Sequence, residues 1–345
     1  MECRALFNFT KNKLIIFLLI FSFLPLFIMR LVVYPIAFNA LRDEIIRNLR
    51  LAVNKQAELI AAWMEGRLSN ARYIANNPFL IQAMQKTGNA LTIEVNEYFK
   101  SICSDFGYKE IFYADRNGKI LFASNKALYG ENILEQDYYR RAIAGAFFVS
   151  NIQSSLELTG NVAGFQEADT PAMIMSLPVK NAPDAILGVL AVCVDVAEID
   201  RVMKSVHFGK TGEAYLINKN GYMLTTSRFT DELLQADRIK KRASLELKIV
   251  DPYTKKPTKG ALECINGGEG YDAHGYPDYR GVRVLGFWHW MPDYDWGVIA
   301  EIDVNEGYGK LYTLRDSVMF VFAFLAMGIV IVVFLLVKKV TLPYR

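Results

Sequence analysis

Two adjacent tyrosines, Tyr138 and Tyr139, and an aspartate that closes an apolar run, Asp195, are the side chains best suited to hold a small organic molecule. A tyrosine offers a broad apolar face with a hydroxyl at its tip, which can both desolvate and orient a ligand. Core packing is the competing role for both rings. Asp195 can pair with a ligand cation or, equally, cap a turn, and Asp169 is a further carboxylate of the same kind. Trp288, Trp290 and Trp296, with Tyr294 among them, suit either an aromatic cage for a quaternary ammonium or a packed core. His207, His274 and His289 are scattered, with no pair at metal-ligand spacing. Gly267-Gly268-x-Gly270 lacks the strand and helix around a dinucleotide loop and reads as a flexible loop. No Ser-His-Asp order, catalytic carboxylate pair or Walker string can be assembled, so no catalytic role, metal or cofactor is expected.

The elements that must position these residues announce themselves by repetition. Residues 111–124 and 214–227 spell the same pattern 103 positions apart: Asn117-Gly118 matches Asn220-Gly221, Leu121 matches Leu224, and Ser124 matches Ser227. Each copy reads as a hairpin, with an apolar strand, an Asn-Gly turn whose residues accept positive φ, and a returning strand. A second echo links Gly188–Ala191 and Asp195 to Gly297–Ala300 and Asp303, with one residue of indel. A period this long implies a duplicated domain, not a solenoid.

Both copies lie between two apolar runs. Ser317–Val337 has no charge over 21 residues, the length needed to cross a bilayer. Leu14–Met29 is also uncharged, and beyond Arg30 the apolar character resumes to Phe38; Arg30 can snorkel to the interface. A cleaved signal peptide is the alternative, but no small-x-small site follows the run. Arg4, Lys11 and Lys13 precede the first span, and Lys338, Lys339 and Arg345 follow the second, which puts both termini in the cytoplasm. Residues 39–316 are then extracytoplasmic. That segment carries 32 Lys and Arg against 35 Asp and Glu, so the net +3 of the chain comes from the membrane flanks and nothing points to nucleic acid. Cys103, Cys193 and Cys264 fall outside the membrane; Cys193 in a strand and Cys103 on a helical face read as buried thiols.

Along the chain, helical periodicity runs from Phe38 to about Met84, broken only at Asn76-Asn77-Pro78. A helix this long needs a surface to lie on, either both domains of its own subunit or a second subunit, and the first is favoured. A helix over 96–106, the first hairpin, a short helix over 137–145, and strands at 146–153, 172–179 and 186–194 follow. After a connecting helix at 197–205 come the second hairpin and strands at 281–290 and 296–303. The fold class is α+β: two tandem antiparallel-sheet modules behind a long stalk helix, flanked by two transmembrane helices. The expected division is 1–13 cytoplasmic, 14–38 first span, 39–85 stalk, 86–205 distal module, 206–312 proximal module, 317–337 second span and 338–345 cytoplasmic.

The string from His207 to Gly221, followed by Thr225-Thr226-Ser227-Arg228, resembles the membrane-proximal half of double Cache sensor domains, which are tandem PAS-like modules. Tyr279–Gly286, the Trp288, Trp290 and Pro292 string, and Trp296–Asp303 resemble the end of that module. Asp137-Tyr138-Tyr139, Ala144-Gly145 and Gly188-Val189-Leu190 resemble the distal one. The similarity covers about residues 40–312. It places the tryptophans in the proximal core and implies the input region of a bacterial sensor histidine kinase, or else of a chemoreceptor or cyclic-dinucleotide enzyme. A membrane-tethered scaffold that sends no signal is the reading from another class.

In amino-acid-binding members, an Arg-x-Trp-Tyr string, a Tyr-x-Asp string and a later Asp hold the ligand. The matching positions here are Gln136, Tyr138 and Tyr139, then Phe148 and Ser150, and finally Asp195. The carboxylate-clamping Arg is missing, and Gln cannot reproduce its bidentate, charge-assisted fork. The resemblance therefore implies a small extracellular ligand other than a free α-amino acid, with Arg140 or Arg141 as possible replacements from the next turn. It also implies a homodimer and a cytoplasmic signalling domain beyond residue 345 or on a partner, since Val340-Thr341-Leu342-Pro343 looks like the start of a HAMP linker.

Overall fold

The computed structural model describes residues 27–85, 89–155, 170–182, 185–204 and 208–341, with Lys13, Ile16, Phe17, Ile20, Phe23, Leu24, Pro25 and Leu158 besides. Parts of the first span, Asp169, His207, Leu342 and Pro343 lie outside the described residues.

A π-helical turn at Met29–Val33 leads into helix α1, Tyr34–Ala75. Its sequence places Leu49, Val53, Gln56, Ile60, Met64, Ala71 and Ile74 on one buried stripe, the spacing that lets a helix cover a core with one face. The stop is local. Pro78 disfavours helical geometry at Asn77, and the Asn77 side chain accepts from the Phe79 N–H at 2.9 Å, starting α2, Pro78–Gln85. Helix α3, Asn89–Phe106, follows.

The first sheet has strands β1 Tyr108–Asp115, β2 Ile120–Ala123, β3 Phe148–Val149, β4 Gln153–Ser154, β5 Pro171–Ala182 and β6 Ala185–Asp195, ordered β2-β1-β6-β5-β3 with β4 also on β5. Helix α4, Asp137–Ile143, covers one face of it. Helix α5, Ala197–Lys204, connects to the second sheet: β7 Glu213–Asn218, β8 Gly270–Pro277, β9 Arg283–Met291 and β10 Trp296–Asp303, ordered β7-β10-β9-β8. Helices α6, Thr230–Gln235, and α7, Lys259–Ile265, lie between β7 and β8. Strand β8 takes in Gly270, so the glycine string there enters a strand instead of remaining loop.

The hairpin strands pair alike in both sheets, with the Gly188–Ala191 and Gly297–Ala300 echo displaced by one residue between them. Phe112 faces Ala191 and Glu110 faces Cys193 in the first sheet, while Tyr215 faces Ile299 and Glu213 faces Glu301 in the second. The turns also match, in a form that differs from the expected Asn-Gly pair. Only Gly118 and Gly221 take positive φ, both +78°. Asp115 accepts from the N–H groups of Asn117 and Lys119 at 2.9 and 3.0 Å, and Asn218 accepts from those of Asn220 and Tyr222 at 3.0 Å each. These side-chain bonds hold a longer turn, in which the asparagine before Gly has no need of the left-handed region. The second returning strand is reduced to isolated bridges, Ile217 with Met223 and Tyr222 with Lys248. There the Thr225 hydroxyl accepts the Leu216 N–H at 3.2 Å in place of a backbone carbonyl.

Leu49–Phe208 and Gly212–Glu301 form one compact unit that holds both sheets. Within it, α1 lies along its own chain: Gln56 donates to the Met203 carbonyl at 2.7 Å, Trp63 Nε1 donates to Glu198 at 2.9 Å, Arg67 pairs with Glu198, and Arg50 sits 5.2 Å over the Phe287 ring.

A second unit gathers the described residues of 13–48 and 302–341 with Gly209–Thr211. In it, helix α8, Val304–Thr341, begins directly after β10. Its Glu306 accepts from the Lys210 and Thr211 N–H groups and the Thr211 hydroxyl, all at 2.6 Å. Against the opposing desolvation, these bonds hold the Glu306 carboxyl below the ordinary glutamate range. The Phe38 and Tyr308 rings meet at 4.8 Å. Two helices, within Phe23–Ala75 and Val304–Val332, are long and apolar enough to cross a membrane.

Candidate ligand site

Strand alternation puts Phe112 and Ala114 of β1, Ala172 and Ile174 of β5, and Val189, Ala191 and Cys193 of β6 on one face of the first sheet. Three alanines and a cysteine make a shallow floor, because their side chains end at or just beyond Cβ. Helix α4 roofs it with Tyr138, Tyr139 and Ala142, and Leu158 and Phe148 lie against the same cluster. Ser176 donates from Oγ to the Tyr138 carbonyl at 2.8 Å, tying the helix to β5.

The two tyrosines have different roles. Tyr139 donates its hydroxyl to the Asp115 carbonyl at 2.7 Å, which binds α4 to the first hairpin turn and commits that group to the structure. Tyr138 is 4% exposed, meets Phe112 edge-on at 6.3 Å, and its hydroxyl has no hydrogen-bond partner among the described residues. Burial raises the Tyr138 hydroxyl well above the ordinary tyrosine range, so it is a neutral donor. A buried hydroxyl without a partner carries a desolvation penalty of about 1–3 kcal/mol that a bound acceptor would relieve.

The remaining sequence-selected residues are spread around this point. Gln136 is half-buried immediately before α4, where its carbonyl accepts from the Tyr139 and Arg140 N–H groups at 3.1 and 3.0 Å. Phe148 is half-buried on β3, with the Arg141 guanidinium 4.8 Å over its outer side. Arg141 itself is exposed and bound to Asp137 at 3.0 Å, and Arg140 pairs with Glu135. Both guanidinium groups thus take part in ion pairs at the solvated surface. Ser150 accepts the Ile174 N–H and donates to the Asn151 carbonyl, both at 2.9 Å. Asp195 is half-buried opposite Ala172 at the sheet's end, and one of its oxygens accepts from the Ala197 N–H at 2.9 Å, the turn-capping role weighed against cation binding. Tyr138 and Phe148 thus share one cluster, while Ser150 and Asp195 mark its borders. Sequence reasoning missed the floor itself, whose only signal is the small residues Ala172 and Ser176 of β5 and Ala191 and Cys193 of β6.

The second sheet presents the same face without that room. Trp288 is fully buried and meets Tyr276 edge-on at 6.1 Å, Trp296 packs beside Tyr294 at 5.6 Å, and Trp290 lies against the core. The tryptophans pack a core and do not form a cage. His289 bonds Glu269 at 3.2 Å. The thiols of Cys193 and Cys264 are buried, free and pushed by burial up to about 12, which makes them inert. Among the described residues, no cluster of His, Cys, Asp and Glu could hold a metal ion.

Comparison with known proteins gives the architecture a lineage. Among curated proteins none matches. The sensory domain of the Campylobacter jejuni chemoreceptor Tlp3 is similar in structure, with 14% identity over 79% of this chain and 99% of that one, at a TM-score of 0.56. The Tlp3 ligand-binding domain in complex with L-valine gives 14% identity, coverage of 79% and 98%, and a TM-score of 0.54. The extracellular domain of the putative histidine kinase rpHK1S-Z16 gives 13% identity, coverage of 76% and 96%, and a TM-score of 0.50. The Cache domain family model matches residues 38–311, which holds both sheets and most of the stalk. With this match over most of its length and a Cache fold throughout the matched region, the chain belongs to the Cache domain family of sensory, ligand-binding modules.

Proposed function

We propose that this chain is the input region of a bacterial two-pass transmembrane receptor, with residues 39–316 outside the cell membrane, and that its membrane-distal module, residues 86–205, binds a small extracellular molecule over the floor of the first sheet. The single observation that carries the site is the Tyr138 hydroxyl, buried in the cluster on the first sheet and without a hydrogen-bond partner among the described residues. Phe148, Ser150, Gln136 and Asp195 border the site, and Tyr139 anchors its roof. The ligand is apolar over most of its surface, with an acceptor for Tyr138. It differs from the L-valine of the Tlp3 complex because Gln136 stands where a carboxylate clamp would be required.

Binding would favour one arrangement of the first sheet and α1 over another, and the proximal module, residues 206–312, would pass that difference to Ser317–Val337. A ligand shifts such an equilibrium only by its differential affinity, about 1.4 kcal/mol for each tenfold ratio. The wording of the second module favours a histidine kinase output over a chemoreceptor one, acting as a homodimer with a signalling domain beyond residue 345 or on a partner.

The test is a thermal-shift screen of the full chain in nanodiscs against organic acids, amines, purines and amino acids. A hit that stabilises wild type and is lost in Tyr138→Ala supports the reading. A ligand that binds Tyr138→Ala and Ala172→Leu as well as wild type would place the pocket elsewhere.

A further inference from the structure

Two carboxylates meet inside the second sheet. Glu213 of β7 and Glu301 of β10 are directly opposite in the ladder and only 8% and 3% exposed. Side chains so placed have Cβ atoms about 4.5–5.5 Å apart, where like charges repel. Glu301 accepts from the Tyr215 hydroxyl at 3.0 Å and the Tyr276 hydroxyl at 2.6 Å. Glu213 accepts from the Arg228 N–H at 2.6 Å and from the Tyr279 hydroxyl, which in turn is 2.9 Å from Ser227 Oγ.

The surrounding charges leave Glu301 uncompensated. Asp278, from the β8–β9 connection, is 1% exposed and bonded by Arg280 at 2.6 Å; that guanidinium also stacks 3.7 Å over Phe229. Arg238 donates to the Tyr279 carbonyl at 3.0 Å, and Arg228 donates to the Gly212 carbonyl. Asp200 and Lys204 of α5, with Thr226, line a cavity of about 60 Å³ that reaches Glu213 from the surface. Arg238 and Arg228 donate to carbonyls, and Arg280, bonded to Asp278, favours the ionised form of Glu213 through its charge, so a proton is the counter-charge left for Glu301. Burial first, then the negative potential of Asp278 and Glu213, pushes the Glu301 carboxyl up to about 8. Burial also raises Glu213, against its hydrogen bonds.

We propose that Glu213 and Glu301 form a pH-sensitive latch, in which a retained proton near neutral pH removes the charge repulsion between β7 and β10, and which loosens them when that proton leaves through the cavity beside Asp200 and Lys204. The latch sits in β10, three residues before α8 begins, so its loosening is a second input to the same output helix. It is independent of whatever occupies the first sheet and shares with the receptor reading only the output arm of its test.

The sign follows from linkage. A carboxyl whose proton is held more tightly in the folded state stabilises that state fully below the ordinary glutamate value and loses the contribution as pH rises through about 8. Melting temperature should therefore fall between about pH 6 and about pH 9 in wild type and fall less in Glu301→Gln, which keeps both tyrosine partners without titrating. Two measurements on the full chain in nanodiscs decide the matter. Infrared difference titration should show a protonated-carboxyl band at neutral pH that disappears on alkalinisation and is absent in Glu301→Gln. Cross-linking between cysteine pairs introduced along Ser317–Val337 should change as that band disappears, in wild type only. No such band in wild type at neutral pH overturns the latch, even if the variant fails to fold. Cross-linking that ignores the titration, or follows it equally in Glu301→Gln, overturns its role as an input.

Discussion

At matching register, the first sheet pairs Glu110 with Cys193 and the second pairs Glu213 with Glu301. Even the bonds on the shared glutamate correspond. Glu110 accepts from Ser124 Oγ at 2.7 Å and Asn125 Nδ2 at 3.2 Å, while the matching residues Ser227 and Arg228 serve Glu213, the first through Tyr279. What differs is volume. Ala114, Ala172, Ala191 and Cys193 line one face, whereas Tyr276, Tyr279, Val284 and Trp288 fill the other. Each core keeps a buried donor without a partner among the described residues, Tyr138 in the first and Trp288 Nε1 in the second. In the second, the buried hydroxyls of Tyr215, Tyr276 and Tyr279 are bonded to carboxylates. A duplicated sheet can thus divide its labour by side-chain size alone, with the ladder unchanged, since register is set by backbone pairing and alternation.

The contrast can be pressed hardest at Trp288. If the second sheet is the closed one, Trp288→Ala should destabilise the protein by about 3–5 kcal/mol, because a large buried ring leaves a cavity that the sheet cannot collapse. Chemical denaturation would read it, and a change under about 1 kcal/mol would mean the face is not packed as described. Next in size is Tyr279→Phe, expected to cost about 1–3 kcal/mol by removing the hydroxyl that donates to Glu213 and accepts from Ser227.

Tyr138→Phe should do the opposite in the first sheet. Removing a partnerless buried hydroxyl should raise the melting point of the ligand-free protein, by up to about 1 kcal/mol of stability. The same change should weaken any ligand found by about fivefold to tenfold, the worth of one neutral hydrogen bond. Equal destabilisation by Tyr138→Phe and Tyr279→Phe would erase the distinction between the sheets. Smallest of all, Arg141→Gln should move stability by under about 0.5 kcal/mol and leave ligand affinity alone, since its ion pair with Asp137 is exposed. A large loss of affinity there would return Arg141 to the pocket.

Much of this architecture was legible in the chain. Apolar periodicity located α1, and the Asn77-Pro78 step located its end, because a proline restricts the residue before it whatever the fold. Alternating apolar runs located β5, β6, β9 and β10. Strand β8 escaped notice because Gly267, Gly268 and Gly270 carry no apolar alternation, and α6 and α7 are too short to show a helical period. The site was half legible. Two tyrosines stood out by type, but their separation into an anchor and a free donor depends on the Asp115 carbonyl, 24 residues away.

By itself the sequence determined two apolar runs of membrane length and a repeat spaced by 103 residues. These are properties of composition and local order, which no packing can alter. Only the tertiary structure decided that Tyr138 lacks a partner among the described residues, that Arg141 faces solvent, and that Glu213 and Glu301, 88 residues apart, lie opposite each other in one ladder. Hydrogen bonding and desolvation act over a few ångströms in space, and a chain brings residues that close only after its strands have chosen their neighbours.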